Sequence, residues 1–336
     1  MKKSTSQIIL MGTLAALSLT SCERRPLEDI TYGPAKIPVK IDWSESGIPV
    51  SQPVGEDYVH RVSIRFFPKD GSEAFDRYLE GDVTQGSIEI PAGNYSVVAF
   101  NESVADPYWT NSITFSDVND YSNFAATIVP DDITLYPIYK SVPNENIVVD
   151  PHKLASWSLD DLEITQDMAQ STCGVPDNSK ITTALTHIKM RKLTYNVNVL
   201  AEVENLKSAQ LIIGAIRGFS NKVYMASGKT AETPSTHVFA FNARKWTDDT
   251  QTDGTTEKNF SSFGLLPVTS QYFLPMNVLF VTGEVYEPST PLLYDVSSQA
   301  NSYANTDMKI RVKLALPKKE GGINVGDWED EEHIVN

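Results

Sequence analysis

Only two of the 336 residues are thiols, and their settings call for different chemistry. Cys22 follows directly on the one long apolar stretch of the chain, residues 8–19, which Lys2 and Lys3 precede. A thiol in that place emerges at a membrane surface, where acylation is the reaction open to it. Cys173, in STCGVPD, has no Cys or His neighbour to activate it, and it loses its one possible disulfide partner if Cys22 is acylated. His60, His152, His187, His237 and His333 are scattered, with no H-E-x-x-H or other metal spacing. The nearest approach to a calcium loop starts at Asp249 and has Gly254 in its sixth place. Its twelfth place is Phe260, where a bidentate Glu is required, so it reads as an exposed glycine turn. Glycosidase chemistry needs two carboxylates at a set separation in space, which no spacing can reveal among 43 acidic residues. There is no G-x-S-x-G elbow, phosphate loop or dinucleotide fingerprint. The expectation is a chain that is not an enzyme, with no catalytic residue, metal or cofactor.

The chemistry that remains is attachment. Two lysines, an apolar core of about twelve residues and small residues after it form the layout of a secretory leader, too short for the roughly twenty residues of a membrane span. Its exit, Leu19-Thr20-Ser21-Cys22, resembles the lipobox of bacterial lipoproteins. Cleavage would fall between Ser21 and Cys22, and Cys22 would carry the lipid. One myristoyl-length chain binds a membrane only marginally, at ~0.8 kcal/mol per buried methylene, whereas the two or three chains of a lipoprotein cysteine hold firmly. Residues 23–35, ERRPLEDITYGPA, lack periodicity and read as a tether that reaches on the order of 40 Å when extended.

Losing the leader removes two of the 28 basic residues and none of the 43 acidic ones, which leaves a net charge of −17. Such a chain repels phosphate backbones, so nucleic acid is excluded as a partner. The apolar share of 41% suffices for real cores, and the length suits two domains.

The elements that position any site read as strands. In KIPVKIDW, Ile37, Val39, Ile41 and Trp43 alternate with Lys36, Pro38, Lys40 and Asp42, and Pro38 places this strand near an edge. In YVHRVSIRFF, Tyr58, His60, Val62, Ile64 and Phe66 share a face. SIEIPAGNYSVVAFN is a hairpin around Pro91-Ala92-Gly93-Asn94, and FAATIV, ITLYPIY and NIVV continue the β-rich pattern. Residues 156–180 are acidic and then turn-rich, with residues 162–170 the best short helix. Beyond them LTYNVNVL, AQLIIGAIRGF, KVYMA and THVFAFN read as strands. MKIRVKLAL is the cleanest of all, with Met308, Ile310, Val312, Leu314 and Leu316 opposite Lys309, Arg311 and Lys313. The reading is all-β, two antiparallel β-sandwich domains in tandem. Its divisions are a signal peptide at 1–21, a lipidated tether at 22–35, an N-terminal sandwich at 36–175 and a C-terminal sandwich at 176–336. Tyr108, Trp109, Trp157 and Trp246 could stack sugar rings or cap cores.

Three stretches carry a likeness to a known group. They are the lipobox leader, the opening AKIPVKIDWSESGIP followed by VSIRFFPKDG, and the hairpin IEIPAGNYSVVAFNES. Together they resemble the fimbrillin-like lipoproteins of Bacteroidales, which include shaft and anchor subunits of type V pili. The likeness is specific over residues 19–102 and loose after about 180. It implies transthyretin-like sandwiches, export as a lipoprotein, and assembly with other fimbrillin-like subunits by strand exchange. In shaft subunits of that group an Arg-directed protease removes the lipidated N-terminal strand, to which KIPVKIDW would correspond. Residues 44–57, which follow that strand, hold no Arg or Lys, so a release cut is not available there. The expectation is an outer-membrane, surface-facing anchor or accessory subunit held by Cys22. Sheet edges at residues 36–43 and 306–316 would pair with partner strands. The alternative is a lipoprotein that binds a surface glycan or host ligand.

Overall fold

The computed structural model describes residues 33–50, 59, 61–101, 111–171, 183–241, 243–266, 272–288, 292–294 and 307–319. The first half contains β1 (Ala35–Asp42), β2 (Arg61–Pro68), β3 (Phe75–Glu80), β4 (Gln85–Ile90), β5 (Gly93–Phe100), β6 (Ile113–Ser116), β7 (Ala125–Ile128) and β8 (Ala155–Ile164). A short helix α1 (Gln166–Ser171) precedes β9 (Ile188–Lys189) and β10 (Arg191–Lys192). The second half contains β11 (Tyr195–Glu204), β12 (Ala209–Ser220), β13 (Lys222–Tyr224), β14 (Pro234–Ala240), β15 (Ala243–Trp246) and β16 (Gly254–Ser262). It ends with β17 (Tyr272–Leu274), β18 (Met276–Phe280), β19 (Val285–Tyr286), β20 (Leu292–Tyr294) and β21 (Met308–Ala315).

The all-β reading is met. The sheet β4-β1-β9 faces the sheet β10-β8-β5-β2-β3, and the sheet β15-β16-β11-β21 faces β14-β12-β18-β19. Alternation decides which residues fill each interior. Ile37, Val39 and Ile41 from β1 meet Val62, Ile64 and Phe66 from β2 in the first core. Val197, Val199 and Ala201 from β11 meet Ile212, Ile216 and Val278 in the second. Most pairings are antiparallel, but β21 runs parallel to β11 from Met308↔Val197 to Ala315↔Glu204.

A third layer explains why alternation fades in the middle strands. The sheet β13-β7-β6 covers the outer face of the five-stranded sheet, so Val98 and Phe100 are buried against Phe124 and Ala126 while Val97 and Ala99 face the first core. A strand buried on both faces reads as a continuous apolar run. This layer also ties the halves together, because β13 comes from the second half and pairs with β7 from the first.

Three sequence expectations shift. Residues 184–192, placed in the second sandwich by a boundary at 175/176, belong with the first. Ile41 pairs with Ile188, Arg191 pairs with Ser156, and Leu185, Ile188 and Met190 are buried in the first core. ITLYPIY is a 3-10 turn at Ile133–Leu135, because Asp132 accepts the Thr134 N–H at 2.9 Å and so caps the start of the turn. The apolar residues there pack as a plug: Tyr139 and Ile147 cover Ile213, Ala215 and Val238 on the outer face of β12 and β14. The short helix is real but begins at Gln166, since residues 162–164 complete β8.

Candidate functional site

The strand foreseen as an assembly element, β1, is fully built into the fold. It pairs antiparallel with β4 from Ala35↔Ile90 to Lys40↔Gln85, and its last two residues pair in parallel with β9. Ala35, Ile37, Val39 and Ile41 are buried, while Lys36 and Lys40 face solvent. Pro38 lies where, among the described residues, no second strand flanks β1, as befits a residue with no N–H to donate. The exit is pinned as well. Trp43 Nε1 donates to Val83 O at 3.0 Å, Ser46 Oγ donates to Trp43 O at 2.8 Å, and Lys189 Nζ contacts Glu45 at 2.6 Å. Burying the Ile37, Val39 and Ile41 side chains is worth on the order of 5 to 9 kcal/mol, at about 1.5–3 kcal/mol each.

The second foreseen edge, at 306–316, is held differently. Asp307 starts it by accepting the Asn196 N–H at 2.8 Å and pairing with Lys192 at 2.6 Å. Those bonds hold the Asp307 carboxyl below the ordinary carboxylate range, even though its partial burial pushes the other way. Asn205 Nδ2 closes the far end on Leu316 O at 2.7 Å. Between these pins β21 is the last strand of its sheet, and among the described residues no strand pairs with its outer side.

The two halves are joined by residues 130–148, which leave β7 and cross onto β12 and β14. Glu145, whose side chain is 3% exposed, accepts from Arg217 Nε at 2.6 Å, Tyr139 Oη at 3.0 Å, Thr236 Oγ1 at 2.9 Å and the Val142 N–H at 3.0 Å. Burial raises its pKa, but the bonds from Arg217, Val142 and Thr236 outweigh that and leave it lowered. Burial and the Glu145 charge push the Tyr139 hydroxyl up to about 12. Backbone bonds run beside this cluster, with Val148 N donating to Thr236 O at 3.1 Å and Thr236 N to Asn146 O at 2.8 Å. A matching polar seam lies at the third layer, where Ser156 Oγ donates to Met225 O at 2.9 Å and Ser158 Oγ to Ala226 O at 2.7 Å. Arg191 also donates to both carbonyls, and its burial lowers its pKa.

Ser21 and Cys22 lie outside the described residues, as do Cys173, His60, His333, Tyr108 and Trp109. Trp157 packs against the first core and Trp246 against the second, so these two form no common platform. His237 is 1% exposed between Phe219 and Phe260, and neither ring nitrogen has a hydrogen-bond partner among the described residues. Sequence reading missed the Glu145–Arg217 cluster; Thr-His-Val-Phe and Ile-Arg-Gly look like ordinary strand text, and the pairing joins residues 72 apart. At the turn resembling a calcium loop, Asp248 Oδ1 accepts the Thr252 N–H at 2.8 Å and Phe260 is buried. The described residues hold no group of three or more His, Cys, Asp or Glu arranged for a metal. No described helix is long and apolar enough to cross a membrane.

A family model described as "Domain of unknown function (DUF5119)" matches residues 21–240, which is well over half of the chain. The chain belongs to the DUF5119 family. Among curated proteins this DUF5119 member is similar to the "Putative fimbrium anchoring subunit Fim4B" of Bacteroides ovatus. The two are 25% identical over 230 residues, 66% of this chain and 56% of that protein. The match thus spans little more than half of the relative. Among solved structures, a "putative adhesin" from Bacteroides ovatus superposes with a TM-score of 0.54 at 19% identity, covering 90% of this chain and 99% of that one. It shares the fold. A looser superposition, with a TM-score of 0.38 at 13% identity over 83% of this chain and 90% of the other, is to the fimbrial anchor protein Mfa2 of Porphyromonas gingivalis.

Proposed function

We propose that the chain is a non-enzymatic lipoprotein of the outer membrane, surface-exposed and attached through acylated Cys22, that anchors a fimbria-type assembly by pairing sheet edges with partner subunits. The observation that carries this reading is the state of β1. It is pinned at both ends of its course and followed by residues 44–57, which offer a trypsin-like or Arg-directed protease nothing to cut. A subunit that polymerises after losing its first strand needs that strand to leave. This one keeps it, and with it the connection to the lipid. The similarity to a fimbrium anchoring subunit supports the same role. The tandem sandwiches then form the body of the anchor, with Cys22 and the tether of residues 23–35 at the membrane end.

The test is crosslinking on intact cells of the natural host, comparing wild type with Cys22→Ala and identifying attached chains by mass spectrometry. An adduct ladder with fimbrial subunits, shed into the medium by Cys22→Ala, is the expected result. A surface-labelled protein with no attached chain would refute the anchor role and point to a glycan or host ligand.

A further inference from the structure

Strand β21 opens the most basic stretch of an acidic chain. Residues 308–319 hold Lys309, Arg311, Lys313, Lys318 and Lys319 with no Asp or Glu, although acidic residues outnumber basic ones 43 to 28 overall. On the strand the basic side chains alternate with Ile310, Val312 and Leu314, which are 3%, 6% and 4% exposed. All three cations therefore stand on the solvent face while the aliphatic residues close the second core. The register leaves them poorly compensated. Lys313 meets Glu202 at 3.3 Å, but Lys309 lies opposite Asn198 and Arg311 opposite Leu200, and neither has an ion-pair partner among the described residues.

Lysines on an edge strand discourage random pairing. Here they also dictate which strand is admitted. Two copies joined β21 to β21 would set these rows of cations against each other, and β1 of a second copy would bring Lys36 and Lys40. Like charges directly opposite one another destabilise a strand pair, so self-assembly through either of these strands is disfavoured. A segment that alternates acidic with apolar residues meets both demands, placing carboxylates beside Lys309 and Arg311 and apolar side chains over the rim of the core.

We propose that the outer edge of β21 receives an extended segment of a different protein in which acidic and apolar residues alternate. This rests on the reading that the chain docks partners by strand pairing. The edge supplies backbone bonds, and the cations supply selection of the partner and its register.

The experiment uses the full-length protein in detergent and a fluorescein-labelled peptide of about ten residues alternating Glu and Val, followed by anisotropy at low and high salt. A peptide alternating Lys and Val is the control. Expected are saturable binding of the Glu peptide, none of the Lys peptide, and weakening of at least about tenfold in Lys309→Glu/Arg311→Glu. Both positions are exposed, so the fold is kept, and unchanged thermal unfolding of the variant checks this. Lys309→Gln/Arg311→Gln is expected to fall between. Absence of wild-type binding, or binding indifferent to charge reversal, overturns the proposal. Fimbrial crosslinks on cells that survive charge reversal would also overturn it while leaving the anchor role standing. Loss of those crosslinks in wild type would instead remove the anchor role itself.

Discussion

Replacing Arg217 by Met is the sharpest probe of what joins the two halves. The substitution keeps an apolar stem of similar length over β12 but removes the cation that faces Glu145 at 2.6 Å. Breaking a buried ion pair from one side costs roughly 3–5 kcal/mol, because the remaining charge is stranded. Arg217 is 33% exposed, so water screens part of that, while Glu145 at 3% exposure has no such relief. The expected loss is therefore about 2–3 kcal/mol, or about 4 to 10 °C in unfolding temperature for a unit of this size. Glu145→Gln should cost less in the Arg217→Met background than alone, with a coupling of about 1–3 kcal/mol. The pH dependence follows from the lowered pKa of Glu145. A carboxyl whose folded pKa lies below its unfolded value of about 4.3 contributes stability that is fully present above that value. That contribution is lost as pH falls through the folded pKa, so the gap between wild type and variant should be full at neutral pH and narrow in acid. Urea unfolding followed by tryptophan fluorescence, with hydrogen exchange at residues 145–148, measures both effects. Additive single variants within about 0.5 kcal/mol, or a gap that does not change in acid, would refute the idea that this cluster fastens the crossing segment.

Other expectations concern single sites. Arg65→Met removes a cation that is 7% exposed from Asp76 at 2.7 Å and from Val118 O at 2.8 Å, and should lower stability by about 3–5 kcal/mol in a denaturant titration. His237→Phe replaces an imidazole without hydrogen-bond partners by a ring of similar shape between Phe219 and Phe260, and should raise stability by about 1 kcal/mol in scanning calorimetry. A loss there would mean that Asp150, 3.8 Å from Nδ1, engages the ring. Gly254→Ala would bring a Cβ to 2.8 Å from Lys245 O and 2.7 Å from Leu206 Cδ2, so thermal unfolding should report a cost of about 1–3 kcal/mol.

Where one face of a strand meets the core and the other meets water, the alternation in the sequence matches the structure residue for residue. β1, β11 and β21 all fall in this class, and their buried and exposed positions follow the period of two. The pattern fails where a second layer takes the solvent's place. Arg65 looks like an outward residue of β2, yet it is buried under Phe67 and Phe124, because β6, β7 and β13 cover that face. The third layer draws β13 from one half and β7 from the other, and no local signal announces a pairing across almost a hundred residues. The boundary moves for another reason. Residues 184–192 follow a turn-rich stretch, as a linker would, but their few apolar side chains complete the first core before β11 begins the second.

The two candidate assembly strands were legible in the sequence, Pro38 even placing the first near an edge. Composition and period place KIPVKIDW and MKIRVKLAL as half-buried strands, but openness depends on which neighbour the topology assigns. β1 has β4 along most of its length and β9 at its end, whereas β21 has β11 alone among the described residues. That difference sets apart what disturbing each strand would cost. Expelling β1 would uncover a core lined by Val62, Ile64 and Phe66. Pairing at β21 asks for no such rupture, since among the described residues its outer side lacks a strand partner. The clamp at Glu145 and Arg217 fastens residues 130–148 onto β12 and β14, and so ties the first half to the second. The β7–β13 pairing is a second tie between the halves, beside the chain itself where Leu193 and Thr194 lead from β10 into β11. A weakened clamp should thus raise hydrogen exchange at residues 145–148 before either core opens.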